Sequence, residues 1–297
     1  YIAPYVYWID DPEASDILEK ADGYDVPYGM VIDCQWLSLK GLTQKPGNVV
    51  IAGNRGQSHG ADGNYTMFHF NSSKTGLKAA NLTIGNYCSV DLDYALKPEL
   101  SREMRTSTIT QAQLADFSGD KMFAENCNFI SRLNLCPING GERSLYRSCH
   151  FESTDDAING NAVFVECDFD FYGNRPVYEA NNTGSVFLGC SFRCMTLNAQ
   201  AEPTQYFTKE GGAIAAVNCT CQSNFTVPFG IAWTKYPSPS LKCYQYNILH
   251  NEKPITIGGD GARETVDMSG KPILKAYWIE KDGKSYYNTY NLLRGGD

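Results

Sequence analysis

The chain has 297 residues, 42% of them hydrophobic and 20% charged; this excludes a disordered chain and suits one elongated repeat domain or two ordinary ones. A formal net charge of −8 argues against nucleic acid or an anionic membrane surface as the main partner, because both require a basic face. A few local Arg or Lys residues still suffice for an anionic sugar, and the absence of a long apolar run excludes membrane insertion through a spanning helix.

The chain opens on Tyr1-Ile-Ala-Pro-Tyr-Val-Tyr-Trp8, which reads as a strand already under way. It lacks the pattern of a secretory leader, so an N-terminal segment lost to processing or truncation is expected. Gly29-Met-Val-Ile-Asp33, Asn48-Val-Val-Ile-Ala52, Tyr65-Thr-Met-Phe-His-Phe70 and Ala80-Asn-Leu-Thr-Ile84 all read as strands at similar spacing. Residues 97–120 are polar and read as a short helix or an excursion loop.

A phrase then recurs. It runs Ala124-Glu-Asn-Cys127-Asn-Phe129, Tyr146-Arg-Ser-Cys149-His-Phe151, Phe164-Val-Glu-Cys167-Asp-Phe169 and Phe187-Leu-Gly-Cys190-Ser-Phe192, with a weaker copy at Ala216-Val-Asn-Cys219-Thr-Cys221. The cysteines step by 22, 18, 23 and 29 residues, a period that means a solenoid. Apolar, polar, Cys, polar, Phe is a period-2 strand with Cys and Phe on one side. Turn residues such as Asn139-Gly-Gly141 and Tyr172-Gly-Asn-Arg-Pro176 follow. Stacked coils of this kind align their inward residues in columns, so the expected fold is all-β, a right-handed parallel β-helix over 1–253. Residues 254–297 lose the phrase. There Ala276-Tyr-Trp-Ile279 and Lys284-Ser-Tyr-Tyr287 flank Lys281-Asp-Gly283, so a short C-terminal hairpin is expected, either capping the helix or beginning another domain. The final Arg294-Gly-Gly-Asp297 reads as a cut linker, as in part of a longer multidomain chain.

The eleven cysteines follow neither zinc-ligand spacing nor a small disulfide framework. The column Cys127, Cys149, Cys167, Cys190 and Cys219 reads as buried core, while Cys194 and Cys221 are open to pairing with neighbours. No motif calls for a cofactor or a metal.

Three stretches around the third coil carry a resemblance. Arg143-Ser-Leu-Tyr146-Arg-Ser-Cys149 is similar to Arg-x-x-Tyr-x-x-Cys of the pectin methylesterases (carbohydrate esterase family 8). Cys149-His-Phe-Glu-Ser-Thr-Asp-Asp156-Ala-Ile-Asn-Gly-Asn-Ala162 resembles the family's Cys-x-Ile strand followed by Val-Asp-Phe-Ile-Phe-Gly-x-Ala. Asn182-Thr-Gly-Ser-Val-Phe-Leu-Gly-Cys190 is similar to its Asn-Thr-Gly-x-x-Phe-x-x-Cys. The resemblance covers about 124–192 and implies a pectin-lyase-like solenoid acting on or binding a uronic-acid polysaccharide such as pectin, in a secreted, periplasmic or cell-surface setting. It also implies two aspartates on adjacent coils, each seven residues past its Cys, one a nucleophile and the other an acid. An Arg holds the nucleophile and a Gln stabilises the oxyanion. Neighbouring carboxylates split their pKa values, which is how one attacks while the other donates.

Carried over by position, the nucleophile falls on Asp156, the acid position holds Asn134, and the Gln position holds Leu133. The Arg-bearing phrase is missing from the later coil, Asn198-Ala-Gln-Ala-Glu-Pro203, and Arg175 is the replacement candidate. Asn134, Asp156 and Asn174 stack at one offset, flanked by Asp155 and Arg175. That column reads either as a turn ladder satisfying backbone groups or as a saccharide cleft.

Two other classes stay open. Thr154-Asp-Asp-Ala-Ile-Asn159 looks like the Asp-Asp phrase of polygalacturonase-like glycoside hydrolases, whose paired acids protonate the glycosidic oxygen and activate water. Asp155 and Asp156 point to opposite faces of a regular strand, so only a corner bend brings both to one cleft. Glu142, Asp168 and Asp170 are further candidate acids, and His150 reads as incidental. A non-catalytic glycan-binding or adhesion module would use Tyr146, Tyr172, Tyr178 and Trp233 as stacking faces. A calcium-dependent lyase is less favoured, because no carboxylate cluster stands out beyond Asp155, Asp156, Asp168 and Asp170.

Overall fold

A computed structural model describes residues 1–15, 28–71, 76–117, 119–132, 144–158, 162–178, 185–209, 213–236, 242–258, 278–281 and 284–287. Two long sheets follow chain order from one edge to the other. The first contains Tyr5–Trp8, Val49–Gly53, Thr83–Asn86, Asn128–Ile130, His150–Ser153, Asp168–Phe171, Ser191–Cys194, Thr220–Ser223 and Ile248–His250, all parallel, and ends on the antiparallel Lys253–Ile255. The second is wholly parallel and runs from Trp36–Lys40 through Gly76–Ala80, Met122–Glu125, Ser144–Arg147, Ala162–Val165, Ser185–Leu188 and Ala213–Val217 to Lys242–Tyr246. Each coil contributes one strand to each sheet. Two sheets that share every coil, each with parallel neighbours in unbroken chain order, make a solenoid, and parallel crossovers take the right-handed sense. The fold is a right-handed parallel β-helix.

A third face closes each coil. Early on it is Tyr28–Ile32, Tyr65–Phe70 and Ala112–Phe117. Later it thins to bridges joining Ile158, Val177 and Thr208, then the pair Thr204–Thr208 and Gly230–Thr234. The polar stretch 97–120 holds a 3-10 turn at Pro98–Leu100 and then the strand Ala112–Phe117. Trp278–Lys281 and Lys284–Tyr287 pair antiparallel, forming the expected hairpin. Among the described residues no helix is long and apolar enough to cross a membrane.

The recurring phrase proves to be two strands rather than one. Glu125 ends a strand of the second sheet and Asn128 begins one of the first. Between them Asn126 takes a left-handed backbone with φ of 51°. The same corner recurs at Asn81, Ser148, Glu166, Gly189, Asn218 and Asn247, every one with positive φ. One left-handed residue turns the chain from sheet to sheet. Asn and Gly tolerate that conformation best, which explains why they dominate the position before the Cys. Amides stack along the corner: Asn126 Nδ2 donates to Asn81 Oδ1 at 2.8 Å, and Asn247 Nδ2 donates to Asn218 Oδ1 at 2.9 Å.

Immediately inside the corner lie Cys127, Cys149, Cys167, Cys190 and Cys219, each 1% exposed. Every thiol points back at the carbonyl two residues earlier, as Cys149 Sγ does toward Arg147 O at 3.3 Å. A small apolar residue with a weak donor suits this place better than valine. Cys194 and Cys221 are free thiols, as are Cys88, Cys243 and the five cysteines of the column. Next come two facing aromatic columns. Phe129, Phe151, Phe169 and Phe192 stack at 5.0, 4.9 and 5.2 Å, and Tyr146, Phe164 and Phe187 at 5.1 and 4.9 Å. Edge-to-face contacts such as Phe151–Phe164 lock the two columns together.

Candidate functional site

The coil containing Asp155 and Asp156 leaves the first sheet after Ser153 and reaches the third face at Ile158. Asp156 has φ of 58°, the corner bend that a regular strand would lack. Its N–H donates to Arg175 O at 3.0 Å, and Ala157 N–H to Pro176 O at 2.8 Å. Lys209 N–H donates to Val177 O at 2.8 Å. Segments 155–158, 175–178 and the start of the turn at Lys209 are therefore neighbours on three successive coils.

The two aspartates separate at this bend. Asp155 Oδ1 accepts the Arg175 N–H at 2.7 Å, and Oδ2 accepts from Arg175 Nη2 at 3.1 Å. Gly173 permits this approach, since a Cβ there would lie 2.4 Å from Asp155 Oδ1. The charges continue outward from Arg175 to Glu202 at 3.7 Å, and from Glu202 to Lys235 at 2.6 Å. Burial works against the Arg175 charge, but Asp155 and Glu202 outweigh it and raise the guanidinium above its ordinary pKa. Asp155 is thus a structural tether. Asp156 instead meets Lys209, whose Nζ lies 2.9 Å from Oδ2, while its buried Oδ1 has no hydrogen-bond partner among the described residues. The Asp156 side chain is 19% exposed, so it is neither sealed in nor saturated. Lys209 also sits 5.1 Å above the Tyr178 ring.

Several expectations need correcting. Arg175 was expected to hold Asp156, yet its side chain holds Asp155, and only its carbonyl reaches Asp156. The left-handed turn at Asp156 is the reason. Asn174 was expected to line a cleft, but it is 4% exposed and fully engaged. It accepts from Thr196 Oγ1 at 2.7 Å and donates to Thr204 O at 2.6 Å and Glu202 O at 3.2 Å. Tyr146 is 2% exposed inside the aromatic columns, and Trp233 is fully buried against Phe207. Neither offers a face to a sugar. Tyr172 is half-buried beneath the Arg132 guanidinium, 4.1 Å from its ring centroid, and Tyr178 remains beside Lys209. Asn134, Leu133, Glu142 and Asn159 lie outside the described residues.

On the outer face of the first sheet, His150, Glu152 and Asp170 bring potential ligand atoms within 4.8 Å of one another. Arg132 already binds Glu152 at 2.7 Å, and Arg193 binds Asp170 through two bonds of 2.5 and 2.7 Å. Two guanidinium groups thus supply the charge that a metal would bring. Asp168 accepts from Ser191 Oγ at 2.6 Å.

Lys209 is the residue that sequence reasoning missed. The cysteine ruler counts from the first sheet, but the excursion from Cys190 to the third face is longer than its predecessors. Counting therefore stops short, at Pro203.

The backbone is similar to that of a pectin methylesterase. The solved structure is pectin methylesterase from Yersinia enterocolitica, which aligns with 16% identity over 93% of this chain and 90% of that one, at a TM-score of 0.45. No protein-family model matches the chain, and no curated protein matches it.

Proposed function

We propose that this chain is a pectinesterase-like, carbohydrate-active protein that acts on a uronic-acid polysaccharide such as pectin, with Asp156 as the reacting carboxylate. One observation carries the reading: Asp156 is held through Oδ2 by Lys209 while Oδ1 has no hydrogen-bond partner among the described residues. A carboxylate oxygen that is buried without a hydrogen bond is costly to maintain, which supports a functional position. In this reading Lys209 has the role that the resemblance gives to an Arg, fixing the nucleophile. Asp156 attacks the methyl-ester carbonyl, methoxide departs as methanol by taking a proton from water, and the hydroxide so formed cleaves the resulting anhydride to restore the carboxylate. Tyr178, next to Lys209, supplies a stacking face for the polymer. Such a protein works where the polymer lies, in a secreted, periplasmic or cell-surface location.

Asp155 counts against the glycosidase alternative, because both of its oxygens are occupied by Arg175. Binding without turnover is the second reading, favoured by the amide of Asn134 where the resemblance calls for an acid. The test is methanol release from methyl-esterified polygalacturonate by wild type and Asp156→Ala. Release that Asp156→Ala abolishes supports the esterase. Retained binding with no release selects the binding module, and reducing ends formed from unmethylated polymer select the glycosidase.

A further inference from the structure

At the end of the first sheet the inward columns change character. The column Phe129, Phe151, Phe169, Phe192, Cys221 passes in register to His250. The adjacent column Phe171, Cys194 passes to Ser223. Both turn polar at the same end of the solenoid and meet there, with Ser223 Oγ 2.8 Å from His250 Nε2. With the imidazole proton on Nδ1, the hydroxyl donates to Nε2, which is the geometry of a serine nucleophile and its base.

The surroundings support that chemistry. Ser223 lines a cavity of about 730 Å³, together with Arg193, Met195, Leu197, Phe225 and Glu252. Asn251 clamps the end of the strand: its Oδ1 accepts Ser223 N–H at 3.0 Å and its Nδ2 donates to Ser223 O at 3.1 Å. The hairpin that presents His250 turns at Asn251 and Glu252, both with positive φ. Glycine fits the second of these positions best, so Glu252 is held there in a disfavoured conformation, on the cavity wall. Partial burial lowers the His250 pKa, which keeps the ring neutral and able to take a proton. Arg193 binds Asp170 through Nε and Nη2, leaving Nη1 for a substrate carboxylate. Among the described residues, the other charged groups beside His250 are Glu252 and Lys253, the latter paired with His250 across the hairpin.

We propose that Ser223 and His250 form a second, esterolytic site for small acyl esters whose alcohol part bears a carboxylate. Ser223 Oγ attacks the acyl carbonyl as Nε2 takes its proton. The ester C–O bond breaks and the alcohol leaves with that proton. Water, deprotonated by the same nitrogen, then cleaves the acyl-serine to the free acid.

The test uses a fluorophosphonate probe on the whole chain, with the adduct located by mass spectrometry and p-nitrophenyl acetate hydrolysis followed in parallel. Ser223 is expected to carry the adduct and the neighbouring Thr220 none. His250→Gln keeps a hydrogen-bonding group on Ser223 but cannot act as base, so it should slow labelling at least tenfold. In wild type, labelling should fall as acid protonates His250, a readout that needs no variant. No adduct at Ser223 in the folded protein, or labelling indifferent both to pH and to His250→Gln, would show that the pair only caps the solenoid and would overturn the proposal.

Discussion

The ammonium of Lys209 lies 2.9 Å from Oδ2 of Asp156, across 53 residues of chain. The contact exists because Ile158, Val177 and Thr208 stack as one ladder on the third face. Each residue follows or precedes a rung of that ladder, and the rungs bring their side chains together.

This contact gives the first prediction. Lys209→Met leaves Asp156 without its cation and should lower methanol release by about a hundredfold, the cost of removing one oriented electrostatic partner. Lys209→Arg should restore most of it. Equal activity in wild type and Lys209→Met would rule out the positioning role.

The left-handed corner predicts a gain in stability. Ser148 and Glu166 adopt φ of 49° and 51° where their neighbours are Asn and Gly. Replacing Glu166 by Gly, or Ser148 by Asn, should stabilise the fold by about 0.5–1 kcal/mol each, by relieving the left-handed strain. Gly189→Val, at φ of 62°, should destabilise by more than either gain. Urea midpoints read all three.

The thiols should be inert while the protein is folded. Burial pushes Cys221 and Cys243 up to about 12 and Cys88 to about 11, and it holds Cys167 and Cys219 well above the ordinary thiol range. A thiol reagent at pH 8 should modify these five only as the chain unfolds. Peptide mapping of the alkylated protein checks this, and fast modification of Cys167 in folded protein would contradict the buried ladder.

His250 makes stability depend on pH in a known direction. Burial depresses its folded pKa below the ordinary imidazole value of 6.5. Between the two values the unfolded chain binds more protons than the folded one, so stability falls as pH drops from the ordinary value to the depressed one. His250→Gln should remove that component of the acid sensitivity. Melting temperatures of both proteins from pH 7 down to 5 test it, and parallel curves would show that His250 does not carry the effect.

Much of the architecture is legible from the cysteine phrase, because a repeated inward pattern constrains every coil alike. The strands at Tyr65–Phe70 and Val49–Gly53 and the terminal hairpin of Trp278–Lys281 with Lys284–Tyr287 lie where the alternation points. What pattern hides is the corner. A period-2 reading runs straight through Asn126, because one left-handed residue turns the chain onto the next sheet without disturbing the inward positions of Cys127 and Phe129. The same blindness affects Asp155 and Asp156. Adjacent in sequence, they are divided by the φ of 58° at Asp156, which gives one to Arg175 and the other to Lys209.

The amino-acid sequence by itself therefore determined the solenoid and its buried thiol and phenylalanine columns. Those follow from local periodicity, which repeats at every coil. Only the tertiary structure decided that Lys209 rather than Arg175 holds Asp156, that Asn174, Tyr146 and Trp233 are interior, and that Ser223 meets His250. These pairings span coils of unequal length. Their register is fixed by backbone hydrogen bonds between turns of the helix, and no count along the chain supplies it.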